Sequence, residues 1–568
     1  MLLAPLVDLP SSPDDLKDAT WPDIEVLYKS VLDVSVAPDD AERWLTTWSR
    51  LEELVEEAGT RAMIAYTCDT ADAVKEQANL RWSADIFPRA AELQVALAKK
   101  LLALGYSRAD LETVLRGMRT DIEIFREENV PLYTQLEELV SEYQKITGGL
   151  EVEWDGETKT VPQLQPFLKS HDRAVRERAF RKQANAYLEQ RATLSSLFDR
   201  MYVLRDQIAR NAGFTNFVDY SFASKHRFDY TPDDCRAFHN AVQETVAPAV
   251  ERLMKYRRER LGITSVRPWD TPVLLETKEP PVPFTDIGGL VEPAKRIFHT
   301  LNPELGRQFD RMAEEKMLDL GSRSGKAPGG YCVKLSYRGM PFIFMNAVGV
   351  PDDVNTLLHE AGHSFHDFAA HPQPFIWQRS SGHEAAELAS MSMELFGLKH
   401  LAKPTGYYSP TERDAAEIEQ FEDILQSLAH IASVDAFQLW LYTSGKGGDA
   451  EARDREWVAI RDRFERGIDW SGLQEERVSR WYRQLHIFEY PLYYIEYGIA
   501  QMGALQLWRD SLREPKQTLE RYREALALGG TRPLPEIYKA AGARLVFDAA
   551  GMRDLIQRVE ERIAQLRS

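Results

Sequence analysis

Apolar residues recur along most of this chain at three- and four-residue intervals. Leu93, Leu97, Leu101 and Leu104 are one such set and would lie on one stripe of a helix. Helix starts are also marked. Ser12-Pro13-Asp14-Asp15 and Thr231-Pro232-Asp233-Asp234 each combine a capping hydroxyl, a proline at the first helical position and acids in the first turn. Ser409-Pro410-Thr411-Glu412 has the spacing of a capping box, in which the Glu returns to the cap residue's amide. Two stretches switch to strand-like alternation. Leu150 to Trp154 alternates, and Asp155-Gly156 then supplies a hairpin turn. Tyr331 to Met345 alternates through Val333, Leu335 and Tyr337, turns near Arg338-Gly339 and continues as Phe342-Ile343-Phe344-Met345. The pattern predicts a mostly α protein with a small β-sheet just before a helix carrying His359. The proline-rich stretch from Pro268 to Pro283 predicts a surface connection. The expected division is an N-terminal helical region over residues 1–190 and a larger region over 191–568.

With 568 residues, 44% hydrophobic and 28% charged, the composition is that of a soluble globular protein with more than one domain's worth of core. A formal net charge of -18 argues against nucleic acid as a partner, because phosphates require a basic footprint. Cys68, Cys235 and Cys332 are widely spaced and form no C-x-x-C pair, which suits a reducing compartment. The segment Met1-Leu2-Leu3-Ala4-Pro5-Leu6 lacks the basic region of a secretory signal, and no apolar run reaches bilayer length. The expectation is a cytoplasmic protein with no membrane partner; the pattern does not fix its oligomeric state.

The chemistry concentrates at His359-Glu360-Ala361-Gly362-His363. Two histidines four residues apart project from one face of a helix, where both imidazoles can reach one ion. Glu360 lies beside them, where a carboxylate can take a proton from activated water. A catalytic zinc takes three protein ligands and keeps a position open. The metzincin position for a third histidine is Ala369, which excludes that subclass. His366 could be offered as a ligand, but a neighbour orienting the site or lining the cleft fits it better. The remaining source is an acid on the helix expected from His383 to Leu398. Glu384, Glu387 and Glu394 share related faces of that largely apolar segment, and spacing alone leaves Glu384 and Glu387 both open. Cobalt or manganese would also suit such a ligand set.

The run His359 to His366 resembles the H-E-x-G-H-x-x-H motif of the thimet oligopeptidase and oligoendopeptidase F family of zinc peptidases. Glu387-Leu388-Ala389-Ser390 with Glu394 is similar to that family's downstream acidic block. Val161 to Leu164, Ser170 to Phe180 and Arg267 to Asp270 are also similar to segments of oligoendopeptidase F relatives. The resemblance implies one Zn2+ per chain held by His359, His363 and Glu387, with Glu394 behind the ligands. His486-Ile487-Phe488-Glu489-Tyr490-Pro491-Leu492-Tyr493-Tyr494-Ile495-Glu496-Tyr497-Gly498 is similar to the family's H…Y-x-x-Y region. It implies that His486, Tyr494 and Tyr497 contact the substrate carbonyl, with Tyr493 the competing tyrosine. The bland alternative is a buried aromatic helix, since Tyr490, Tyr493, Tyr494 and Tyr497 recur at helical spacing. Two helical lobes flanking a deep channel for short unstructured peptides are implied by the family alone.

The segment Gly325 to Tyr331 lacks a G-K-[ST] ending and so is not a phosphate loop. With Gly329, Gly330 and Tyr331 it reads as a mobile loop covering substrate, which the family also has. Phe342, Phe344 and Asn346 lie on a strand expected to pair with the substrate backbone by strand addition. The expected activity is a metal-dependent endopeptidase acting on short peptides. The rivals are an exopeptidase of the same structural group and, less consistent with an intact Glu360, a helical zinc-binding protein without catalysis.

Overall fold

The computed structural model describes residues 5–279, 281–323, 325–327 and 329–568. Met1–Ala4 and Pro328, used in the leader and loop readings, lie outside them. The chain is mostly helical and divides into two compact units. Unit 1 is Met1–Glu123, Val282–Arg413 and Gly503–Leu545; unit 2 is Ile124–Pro281, Asp414–Met502 and Val546–Ser568. Residue 190 falls inside unit 2, between the helices Arg173–Glu189 and Arg191–Asn211. Among the described residues no helix is long and apolar enough to cross a membrane.

The start signals act as read. Thr231 caps the helix Pro232–Leu261 by accepting from the Asp234 amide, and Asp234 returns to the Thr231 amide at 2.8 Å. Glu412 returns to the Ser409 amide at 2.8 Å at the head of Pro410–Thr443. In unit 2, β1 (Glu151–Trp154) and β2 (Glu157–Thr160) pair antiparallel around Asp155 and Gly156. Both turn residues have positive φ, 53° and 86°, as a two-residue hairpin of this hand requires. The proline-rich stretch opens with a short 3-10 turn at Pro268–Asp270 and does not simply cover the surface: Val273, Leu274 and Leu275 are buried. A connection rich in proline still carries apolar side chains, and burying them pins it down.

Unit 1 positions the histidine motif. Its core gathers Trp44, Trp48, Leu51 and Val55 on one stripe of the helix Ala41–Cys68, packed with Tyr28, Leu97 and Leu101. The acids of the same helix hold a sheet in place. Glu57 accepts from the Arg338 amide at 2.8 Å and Glu56 from the Ser336 hydroxyl at 3.0 Å. These residues form the turn joining β4 (Tyr331–Leu335) to β5 (Met340–Ala347), and Gly339 makes the bend at φ 64°. The predicted hairpin is present, with Tyr331 opposite Phe344 and Val333 opposite Phe342.

The sequence reading missed β3 (Leu318–Gly321), which pairs in parallel with β5, placing Leu318 opposite Ile343. The order is β3-β5-β4, so β5 is the central strand. This overturns the expectation that the Phe342–Asn346 segment offers its edge to a substrate. Both sides of β5 are occupied, Phe344 is fully buried, and Asn346 spends its side-chain N–H groups on the carbonyls of Ala327 and Gly329 at 2.7 and 2.9 Å.

The helix carrying the motif, Pro351–Ala370, starts at a proline two residues after Gly349, whose φ is 98°. Its Asp353 carboxylate accepts from three consecutive amides, Val348, Gly349 and Val350, at 2.8 to 3.0 Å. This satisfies donors that the chain entering the helix would otherwise leave open. Replacing Asp353 with Ala should lower stability by about 1–2 kcal/mol, within the range for loss of a cap. Urea unfolding of the metal-free protein with an unchanged m-value would verify it.

Candidate metal centre and a clustered aromatic site

Three donors converge between two helices of unit 1. His359 and His363 come from Pro351–Ala370 and Glu387 from His383–Gly397. Glu387 Oε2 lies 3.4 Å from His359 Nε2 and 3.9 Å from His363 Nε2, and all three donor atoms fall within 4.8 Å of one another. Donors about 2.0–2.1 Å from a shared tetrahedral ion lie roughly 3.4 Å apart. The donor types and spacing therefore fit zinc. Geometry also separates the two acids that spacing could not: Glu387 reaches both imidazoles, whereas the Glu384 carboxylate folds back over Gly382.

Surrounding groups orient the ligands. His359 donates from Nδ1 to Glu394 Oε1 at 2.6 Å, which fixes its tautomer and turns Nε2 towards Glu387. The Ser390 hydroxyl lies 3.2 Å from Glu387 Oε2. Tyr522 donates to the Ala389 carbonyl at 2.9 Å and Tyr538 to the Glu384 carbonyl at 3.0 Å, bracing the acidic helix. His366 bonds to neither helix's ligands. Its Nε2 lies 3.1 Å from Ser381 Oγ, at the break where the acidic helix begins. Burial pushes the His366 imidazole down to about 3, so it stays neutral there.

Glu360 is buried and makes no ion pair with the donors at the distances that join Glu387 and Glu394 to His359. Burial pushes its carboxyl up to about 7, although the neighbouring His359 works in the opposite direction. Burial alone would lower the His359 imidazole, but its bonds to Glu387 and Glu394 outweigh that and hold it well above its usual value. Burial pushes the His363 imidazole down to about 4, outweighing the upward pull of Glu387.

Gly362 in the motif is required by packing. A Cβ there would sit 2.5 Å from Ser390 Cα and 2.8 Å from the Ala389 carbonyl. Those are backbone atoms that cannot swing aside, so only glycine lets the two helices approach this closely.

In unit 2, His486 sits on the short turn Leu485–Phe488, and Tyr494 opens the helix Tyr494–Ser511. The His486 ring centroid lies 5.0 Å from Tyr494, 5.5 Å from Tyr493 and 5.9 Å from Tyr497. The buried side of that helix is formed by Ile495 and Ile499, while all three tyrosines remain partly accessible, unlike a plain buried aromatic stripe. Tyr490 is mostly exposed, and its ring centroid lies 6.1 Å from that of His486.

Two buried arginines missed in the sequence hold the cluster's backbone. Arg205 donates to the Ile487 carbonyl at 2.9 Å and also to that of Phe488. Arg227 donates to the Leu492 carbonyl and the Glu496 carboxylate, each at 2.5 Å. Leu492 has a positive φ of 62°, costly for a branched residue, and its amide is held by Gln438. No local pattern marks these arginines, which lie hundreds of positions away in the chain.

Two substitutions test the metal centre. Gly362→Ala should cost about 1–3 kcal/mol through overpacking and weaken zinc binding by at least about tenfold. Glu394→Gln should weaken zinc binding by about 10–100-fold while leaving the fold intact. Competition against a chelating dye measures both affinities, and unchanged values would remove the orienting role.

Several known proteins are similar to this chain. The oligoendopeptidase F homolog of Borreliella burgdorferi is 23% identical over 454 residues, covering 74% of this chain and 71% of that protein. Oligopeptidase PepF of Bacillus subtilis is 23% identical over 409 residues, covering 66% of this chain and 55% of the relative's length. Among solved structures, PZ peptidase A with an inhibitor superposes with a TM-score of 0.89 at 26% identity, covering 96% of this chain and 98% of the other. The oligoendopeptidase F of Enterococcus faecium shares the fold at a TM-score of 0.66 and 16% identity, covering 98% and 99%. The sequence model of Peptidase family M3 matches residues 167–555, taking in the metal centre and the aromatic cluster, and the chain belongs to that family of metallopeptidases.

Proposed function

We propose that this protein is a zinc-dependent oligoendopeptidase that hydrolyses internal bonds of short unstructured peptides, with one ion per chain held by His359, His363 and Glu387. The observation that carries the reading is the convergence of those three donors within 4.8 Å, with the buried Glu360 on the same helix turn. The family relationship and the names of the oligopeptidase relatives support it.

When bound, zinc supplies Lewis-acid polarisation of water and of the scissile carbonyl. Glu360 takes a proton from the attacking water and returns it to the departing amine. Glu394 keeps the His359 ring in the tautomer that leaves Nε2 free to ligate. His486, Tyr494 and Tyr497 are assigned to the carbonyl oxygen as charge develops there. That assignment follows from the family resemblance and from their clustering within unit 2. The two helical lobes and peptide-admitting channel belong to the same reading.

Substrate recognition moves from β5 to its neighbour. Among the described strands β4 has a partner on one side only, and Cys332 on β4 lies 3.3 Å from Ser364 on the motif helix. An extended peptide adding to Tyr331–Leu335 would run beside that helix, entering past Gly329 and Gly330. Backbone pairing would make cleavage tolerant of sequence.

The test is hydrolysis of an end-blocked, internally quenched peptide by wild type and Glu360→Gln, with zinc content measured in both. Wild type should cleave internally, and the variant should lose about 10²–10⁴-fold in kcat while keeping its zinc. Cleavage restricted to peptides with a free end would instead establish an exopeptidase. Tyr494→Phe and Tyr497→Phe separate the two tyrosines: the one that holds the oxyanion should lose about 10²–10³-fold in kcat with little change in KM.

A further inference from the structure

A cavity that the peptidase chemistry leaves unused lies wholly within unit 2. It measures about 250 Å³, and Arg461, Arg480 and Arg483 line it together with His430, Gln484 and the acids Glu465 and Asp423. Three guanidinium groups on one small cavity repel each other unless anions offset them. Glu465 does so for two, lying 2.6 Å from Arg461 and 2.5 Å from Arg480. Arg483 is held differently. Its side chain donates to the neutral Gln183 Oε1 at 3.0 Å, and no ion pair joins it to a carboxylate among the described residues. Burial and the neighbouring Arg480 lower its pKa to about 10, so it remains a cation.

Three arginines face two carboxylates on this cavity, Glu465 and Asp423, which leaves one positive charge in excess. His430 takes a hydrogen bond from Arg461 on Nδ1 at 2.8 Å, so its Nε2–H points to Gln484 Oε1 at 3.2 Å and the ring is neutral. The same Gln484 oxygen accepts from Tyr494 at 3.1 Å. An arginine that lines a polar cavity without its own carboxylate suits bidentate capture of a planar anion.

We propose that this cavity binds a carboxylate, gripped by Arg483 with Arg480 beside it. The carboxylate comes either from a small free ion or from the C-terminus of a peptide. Titration calorimetry of the full-length wild type with sodium acetate, at ionic strength held by sodium fluoride, tests the first source. Full-length Glu360→Gln, titrated with one short peptide bearing a free or an amidated C-terminus, tests the second. Saturable binding of acetate, or of the free-ended peptide over its amide, is expected. Arg483→Gln should weaken it by at least about tenfold. Arg480→Gln provides an independent variant, each being checked for folding by circular dichroism. Acetate binding that depends on Arg483 identifies a free ion as sufficient; dependence confined to the free-ended peptide identifies a chain end. Absence of saturable acetate binding together with equal affinity for the two peptides overturns the proposal, as does binding unaltered in both folded variants. These readouts do not pass through hydrolysis, so they stand or fall separately from the peptidase reading.

Discussion

The metal centre depends on how closely two helix backbones approach at Gly362. Histidines four residues apart can share an ion on any exposed helix, but two ligands make a weak and indiscriminate site. The third comes from Glu387 on a different helix, and its reach is short. A single methyl group at position 362 would meet Ser390 Cα at 2.5 Å and press the acidic helix away from the imidazoles. The same contact sets the position of Glu394 behind His359 and of Ser390 beside Glu387. Packing density here is a chemical requirement, because donor atoms must meet to within a few tenths of an ångström.

Burial then sets the electrostatics. Glu360, Glu387, His363 and His366 are all largely withdrawn from water, where an isolated charge is costly. Without a cation the group compensates by shifting protons: His359 holds one between Glu387 and Glu394. A divalent ion would take over that compensation and leave the carboxylates ionised. In unit 2 the signs are reversed. Buried arginines are matched to carbonyls and carboxylates, and Arg205 and Arg227 use their fixed forks to hold a turn in a conformation that a leucine would otherwise avoid.

What could be read from the sequence was what is local in the chain. His359 and His363 share a face because a helix repeats every 3.6 residues, and Asp155-Gly156 turns a hairpin because of the φ values those residues accept. The caps at Thr231 and Ser409 are likewise settled within four residues. The choice between Glu384 and Glu387 was not local: it depended on which carboxylate faces a helix a loop away. The place of β5 in its sheet was not local either. Leu318–Gly321 is four residues long, follows a helix and pairs in parallel, so nothing in its own pattern announced that it would take the edge expected for a peptide. Arg205 and Arg227 act on backbone more than 260 positions away, and no window along the chain contains both ends of such a bond.

Every ligand of the metal centre and the acid behind it fall between residues 359 and 394, inside one compact unit. None of these donors belongs to the tyrosine-bearing unit. If the aromatic cluster acts on peptides as proposed, substitutions there can alter peptide chemistry while the three donors that would hold the ion stay unchanged. A protein organised this way can diversify its substrates without renegotiating its hold on a scarce metal.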